Sequence, residues 1–146
     1  MSDVDKWQEK TVWTREGKDF CVEIVRRVVV KPAGDLDTHG PWRWNVYSYV
    51  RHTHAMFSQI DQAGDMQQAA FRGMPFHTGC TLFEMMRGDY GGEAWSCARI
   101  GADYQHLHDR QYTYIERLLP EGSEIVLDAN ALFNWLSERN TKESEE

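Results

Sequence analysis

The run DFCVEIVRRVVVK, residues 19–31, most constrains how this chain can fold, because β-branched residues suit a pleated strand better than a helix. Phe20, Val22, Ile24, Val28 and Val30 fall on one face, interrupted by Arg26. Residues 32–41, PAGDLDTHGP, carry Pro and Gly towards both ends and read as a loop. Beyond it, WRWNVYSYV alternates over residues 42–50, with Trp42, Trp44, Val46, Ser48 and Val50 on one face. Arg43, Asn45, Tyr47 and Tyr49 take the other. Two such segments flanking a loop predict an antiparallel hairpin.

The second half repeats the pattern. Residues 78–103 hold two short apolar runs around RGDYGGE, a Gly-rich turn signal, and predict a second hairpin in the same sheet. Between the hairpins, residues 51–76 break the strand period and read as a connector with helical turns around Met66 to Phe71. Near the C-terminus, residues 127–140 predict a helix that starts at Asp128 as N-cap and lays Ala131, Leu132, Trp135 and Leu136 on the sheet. The fold class is therefore α+β: one domain over residues 1–140, an antiparallel sheet of about four strands covered by a C-terminal amphipathic helix. Residues 1–18 read as a loosely packed N-terminal arm, and TKESEE, residues 141–146, as a disordered acidic tail.

Composition narrows the function. With 146 residues, 41% of them hydrophobic, the chain can bury a single core. A formal net charge of −7 argues against non-specific binding to nucleic acid or anionic membranes, which needs clustered Lys and Arg. No stretch approaches the roughly 20 apolar residues that span a bilayer. Three widely spaced cysteines, Cys21, Cys80 and Cys97, do not form a disulfide framework and suit a reducing cytoplasm. Cys21 and Cys97 lie in the strand segments and read as small core residues.

Chemistry-bearing residues concentrate in MPFHTGCTLFE, residues 74–84, and IGADYQHLHD, residues 100–109. His77, Asp103 and His106 are of the types that hold a divalent transition metal, with Cys80 able to add a thiolate, but their spacing matches no strong zinc signature. A hydrogen bond between His77 and Asp103 across a strand end explains that pair more simply, with Gly79 and Gly101 at the turns and Trp135 holding the helix as structural residues. A binding patch then falls on Tyr104, His106, His108 and Asp109. Tyr47, Tyr49 and Trp95 would make an aromatic binding face wherever no helix covers them, although a core role suits strand aromatics better.

The order of YSYVRHTHAMF, MPFHTGCTLFE, IGADYQHLHD and a final amphipathic helix, spanning roughly residues 44–140, resembles a group of small bacteriophage and prophage proteins. Those carry His-Pro-Leu-Tyr-like, His-Gly-Gly-x-Thr-like and Gly-x-Asp-x-x-His segments. Here the first is His54, Ala55, Met56 and Phe57, without its proline; in the second Thr78 replaces the first glycine; the third, Gly101 to His106, is intact. The resemblance implies phage origin and the cytoplasm of an infected bacterium, and it implies no activity. The expectation is a non-enzymatic accessory protein, without cofactor, that binds and inhibits a host protein, with bacterial defence components as candidate targets. The alternative is a small metal-dependent hydrolase or nucleotide-binding protein using His77, Asp103 and His106.

Overall fold

A computed structural model of the protein describes residues 9–29, 40–63, 74–76, 82–90, 93–104 and 109–140. Five antiparallel strands, β1 (Glu9–Gly17), β2 (Phe20–Val28), β3 (Trp42–Arg51), β4 (Leu82–Tyr90) and β5 (Glu93–Asp103), form one sheet in the order β1-β2-β3-β5-β4. A short helix α1 (Phe57–Ala63) follows β3, a 3-10 helix (Arg110–Tyr114) follows β5, and α2 (Ser123–Glu138) packs on the sheet. The architecture is α+β. Among the described residues, no helix is long and apolar enough to cross a membrane.

Both expected hairpins are present. β2 and β3 pair from Phe20↔Val50 to Val28↔Trp42, and β4 and β5 from Leu82↔Gly101 to Tyr90↔Glu93. The strands of the second hairpin run through most of RGDYGGE, so only Gly91 and Gly92 lie between them. A Gly-Gly pair is among the sequences favoured in a two-residue connection.

The extra strand is β1, drawn from the segment expected to be a loose arm. Its partner register shifts between Thr11 and Trp13, a bulge that exchanges the faces partway along the strand and so hides its two-residue period. After the bulge Trp13 and Arg15 pair with Ile24 and Val22. The Arg15 guanidinium lies 3.8 Å from the Phe133 ring centroid and donates to Asn130 Oδ1 at 2.7 Å, tying β1 to α2.

The even-numbered residues of β2, β3 and β5 face α2. Phe20, Val22, Ile24, Trp44, Val46, Val50, Ala98 and Ile100 are buried against Ile125, Ala129, Leu132, Phe133 and Leu136. Those helix positions recur at the spacing of one α-helical face. The helix starts earlier than the sequence suggested: its N-cap is Gly122, with Glu124 in the first turn, where a carboxylate favours the helix dipole. Asp128 therefore lies inside the helix rather than capping it. Ala131 is exposed, and Trp135 is only partly buried, with the Arg139 guanidinium 4.1 Å from its ring centroid. Ile125 and Val126, β-branched and so weak helix formers, masked the first two turns.

Within the connector, α1 buries Phe57 and Ile60, while the helical turns expected around Met66 to Phe71 lie outside the described residues. The acidic tail lies outside them too.

Candidate functional site

Alternation that sends the even residues of β2, β3 and β5 to the core sends Cys21, Glu23, Val25, Asn45, Tyr47, Tyr49, Cys97 and Arg99 to the opposite sheet face, where Glu84 of β4 joins them through its pairing with Arg99. None of the described helices packs on this face, and its centre is built from five side chains. The Arg99 guanidinium lies 4.1 Å from the Tyr47 ring centroid and 5.8 Å from that of Tyr49, within cation–π range of both. Tyr49 donates its hydroxyl proton to Glu23 Oε2 at 2.7 Å. Arg99 Nη1 donates to Glu84 Oε1 at 3.4 Å, and its Nε is buried with no acceptor.

Gly101 makes this arrangement possible. A Cβ there would stand 2.3 Å from Tyr47 Cδ1 and 2.8 Å from Val46 O, so only glycine lets the ring of Tyr47 lie across β5. Covered by Arg99 and seated on Gly101, Tyr47 is 7% exposed on a face that carries no described helix. Gly101 lies within β5 rather than at a turn, and what it supports is the aromatic shelf.

The phenols and thiols of the face are held in their protonated forms. Burial raises the Tyr47 hydroxyl, and burial together with the Glu23 hydrogen bond raises that of Tyr49. Cys21 is pushed up to about 11 by burial and by Glu16, and burial also raises Cys97. A thiol or phenol protonated at neutral pH is a poor nucleophile. Both cysteines are half-buried on this face and not in the core under α2, because each lies one residue out of phase with the core positions beside it.

The residues expected to form a binding patch are placed differently. Tyr104 continues the even-numbered series Ala98, Ile100, Ala102 and turns under α2, where it is 1% exposed and donates its hydroxyl proton to Asp128. Its backbone N–H donates to Trp44 O at 3.0 Å, extending the β3 ladder past the end of β5. Asp109, 4% exposed, precedes the 3-10 helix and accepts the Tyr112 N–H on its backbone carbonyl at 2.9 Å. Tyr112 stacks edge-on against Tyr104, with ring centroids 4.9 Å apart, and donates to Glu124 at 2.6 Å. Burial, followed by these carboxylates, raises both phenols. Tyr104 and Asp109 thus belong to the junction between the sheet and α2 and present no surface. His106 and His108, their companions in the expected patch, lie outside the described residues.

The alternative metal set is divided. His77 and His106, with Cys80 and Gly79, lie outside the described residues, while Asp103 ends β5 on the sheet face away from α2, opposite Asn45. Among the described residues, no group of three or more His, Cys, Asp or Glu is placed to hold a metal ion. Tyr47 and Tyr49 fit the aromatic face that the sequence offered as a minor reading; the Trp95 side chain lies outside the described residues. Arg99 was missed, although a charged residue at every-other spacing from Cys97 and Gly101 in EAWSCARIGAD marks an outward-facing row.

His54, from the phage-like His54–Phe57 segment, is 3% exposed beneath the end of α2. Its Nε2–H donates to Leu136 O at 2.9 Å, and Nδ1 accepts the Met56 N–H at 3.0 Å. Both ring nitrogens are used by a neutral imidazole, and burial lowers its proton affinity against smaller opposing effects of Leu136 O and Asp19. The unfolded chain takes up this proton near pH 6.5, where the folded chain resists it, so the unfolded state binds more protons as pH falls. His54 stabilisation is therefore complete above about pH 6.5 and lost progressively below it. Urea midpoints should fall between pH 7.5 and 5.5, and His54→Gln should flatten that change. An equally steep decline in the variant would assign the pH dependence to other groups.

No protein-family model, no curated protein and no solved structure matches the chain.

Proposed function

We propose that the protein acts by binding another protein through the open face of its sheet, and that it is an accessory inhibitor rather than an enzyme. The observation that carries this reading is the stack of Arg99 over Tyr47 and beside Tyr49 on a face that no described helix covers. Tyrosine and arginine dominate the energetics of protein interfaces because each offers a large, ordered contact surface with a polar end. Here their geometry is set in advance, by Gly101 beneath Tyr47 and by Glu23 holding the Tyr49 hydroxyl. Preorganisation reduces the side-chain entropy lost on binding. The protonated thiols and phenols of the face suit contact better than nucleophilic catalysis. The resemblance of His54–Phe57, His77–Thr81 and Gly101–His106 to phage protein segments makes a bacterial host protein the expected partner.

The test is affinity capture from bacterial lysate with three forms of the full chain: wild type, Tyr49→Ala, and Leu127→Ala on the exposed side of α2. Tyr49→Ala should lose the captured protein by at least about tenfold, the size of a moderate hot spot. Leu127→Ala should retain it. The reverse pattern would move the binding surface to the helix, and equal retention by both variants would remove the sheet face as the site.

A further inference from the structure

We infer that Arg99 is the receptor for a single carboxylate of the protein partner, an Asp or Glu side chain that enters the centre of the open sheet face; this rests on the binding role proposed for that face. The guanidinium plane is held by two tyrosine rings at 4.1 and 5.8 Å, which fixes its fork before any partner arrives. Its Nε is buried without an acceptor, so an incoming group must meet the terminal nitrogens. About a quarter of the side chain, 26%, is open to solvent.

Glu84 shows what chemistry reaches this position. Its carboxylate meets Nη1 at 3.4 Å from a side chain that is 55% exposed, a long contact of the kind that contributes little in water. A well-placed partner carboxylate would bind the fork through two parallel hydrogen bonds of about 2.7–2.9 Å. In the intact interface Glu84 would be displaced, acting in the free protein as an internal competitor.

The surrounding charge favours one carboxylate over a polyanion. Glu23 lies beside Tyr49 and Glu84 beside Arg99; of the other cations on this face, Arg51 is paired with Glu16 at 3.5 Å, Arg43 donates to the carbonyls of Gly40 and Trp42, and Arg27 stands opposite Arg43 at the far end of the β2–β3 pair. A phosphate-rich ligand would meet these carboxylates as well as the arginine, on a chain whose formal net charge is already −7. A single acidic side chain needs the one receptor.

The experiment follows the Arg99 Nε–H resonance in the full chain by NMR during titration with N-acetyl-aspartate amide, N-acetyl-asparagine amide and inorganic phosphate. The aspartate probe should give a saturable shift and the asparagine probe none. Glu84→Gln should tighten the aspartate response several-fold by removing the competitor, and Arg99→Lys, followed through the Tyr47 and Tyr49 backbone amides, should abolish it. Equal responses to the two amides, or no gain in Glu84→Gln, would overturn the assignment. A tighter response to phosphate would overturn it in favour of a phosphate receptor. Arg99→Gln, checked by its melting curve, separates this inference from the binding role on which it rests. If lysate capture is lost in Tyr49→Ala but retained in Arg99→Gln, the face binds without a carboxylate at Arg99; loss in both supports the receptor.

Discussion

Replacing Trp44 with alanine should cost about 3–5 kcal/mol, the range for truncating a fully buried aromatic. Trp44 is among the largest completely buried side chains, and its indole N–H donates to Ile115 O at 3.0 Å, joining β3 to the segment after the 3-10 helix. Truncation would leave a cavity under α2 and an acceptor without its donor. Against a total stability of about 5–15 kcal/mol for a domain, the variant should be close to unfolding at 37 °C. Trp44→Phe keeps much of the buried area and loses only the hydrogen bond, so it should fall between the two. Urea denaturation checks both, and a midpoint unchanged in Trp44→Ala would remove this residue from the core.

The second large effect lies in α2, where Leu132 is fully buried while Trp135 is only partly so. Leu132→Ala should cost about 2–5 kcal/mol, because Leu132 is fully buried against the sheet. Trp135→Ala should cost less, about 1–2 kcal/mol, because a partly buried ring at the edge of the core buries less apolar area and part of its contact is with the Arg139 guanidinium. Thermal melts of the two variants settle the order. A greater loss in Trp135→Ala would mean that this ring, and not Leu132, anchors the helix.

The parts of the fold legible in the sequence were those whose periodicity is uninterrupted. WRWNVYSYV keeps strict alternation through β3, and both hairpins could be placed from it and from the glycines at Gly91 and Gly92. β1 was not legible, since its bulge switches faces after Thr11 and its charged residues resemble an arm. The early turns of α2 were hidden by Ile125 and Val126. At the candidate site, the sequence supplied the residue types but not the faces. IGADYQHLHD looks like one continuous patch, yet Asp103 and Tyr104 project to opposite sides of the sheet, and Tyr104 is covered by α2. Arg99 escaped notice because no local motif marks it; its significance comes from Tyr47 and Tyr49, about fifty positions earlier, brought alongside by the pairing of β3 with β5.

That pairing, Asn45↔Asp103 through Arg51↔Cys97, is where the N-terminal three strands meet the C-terminal two. Every other strand pair joins consecutive segments, so the long-range closure entropy of the sheet is concentrated in this one joint. Loop-closure entropy rises only logarithmically, by about 0.6 kcal/mol for each doubling of length. On closure entropy alone, lengthening the connection between α1, ending at Ala63, and β4, starting at Leu82, would cost little, provided that Met74 within it keeps its place in the core. Shortening it is different: the chain must still travel from the end of α1 to the outer strand before returning along β5, and a minimum span, rather than a preferred length, governs that passage.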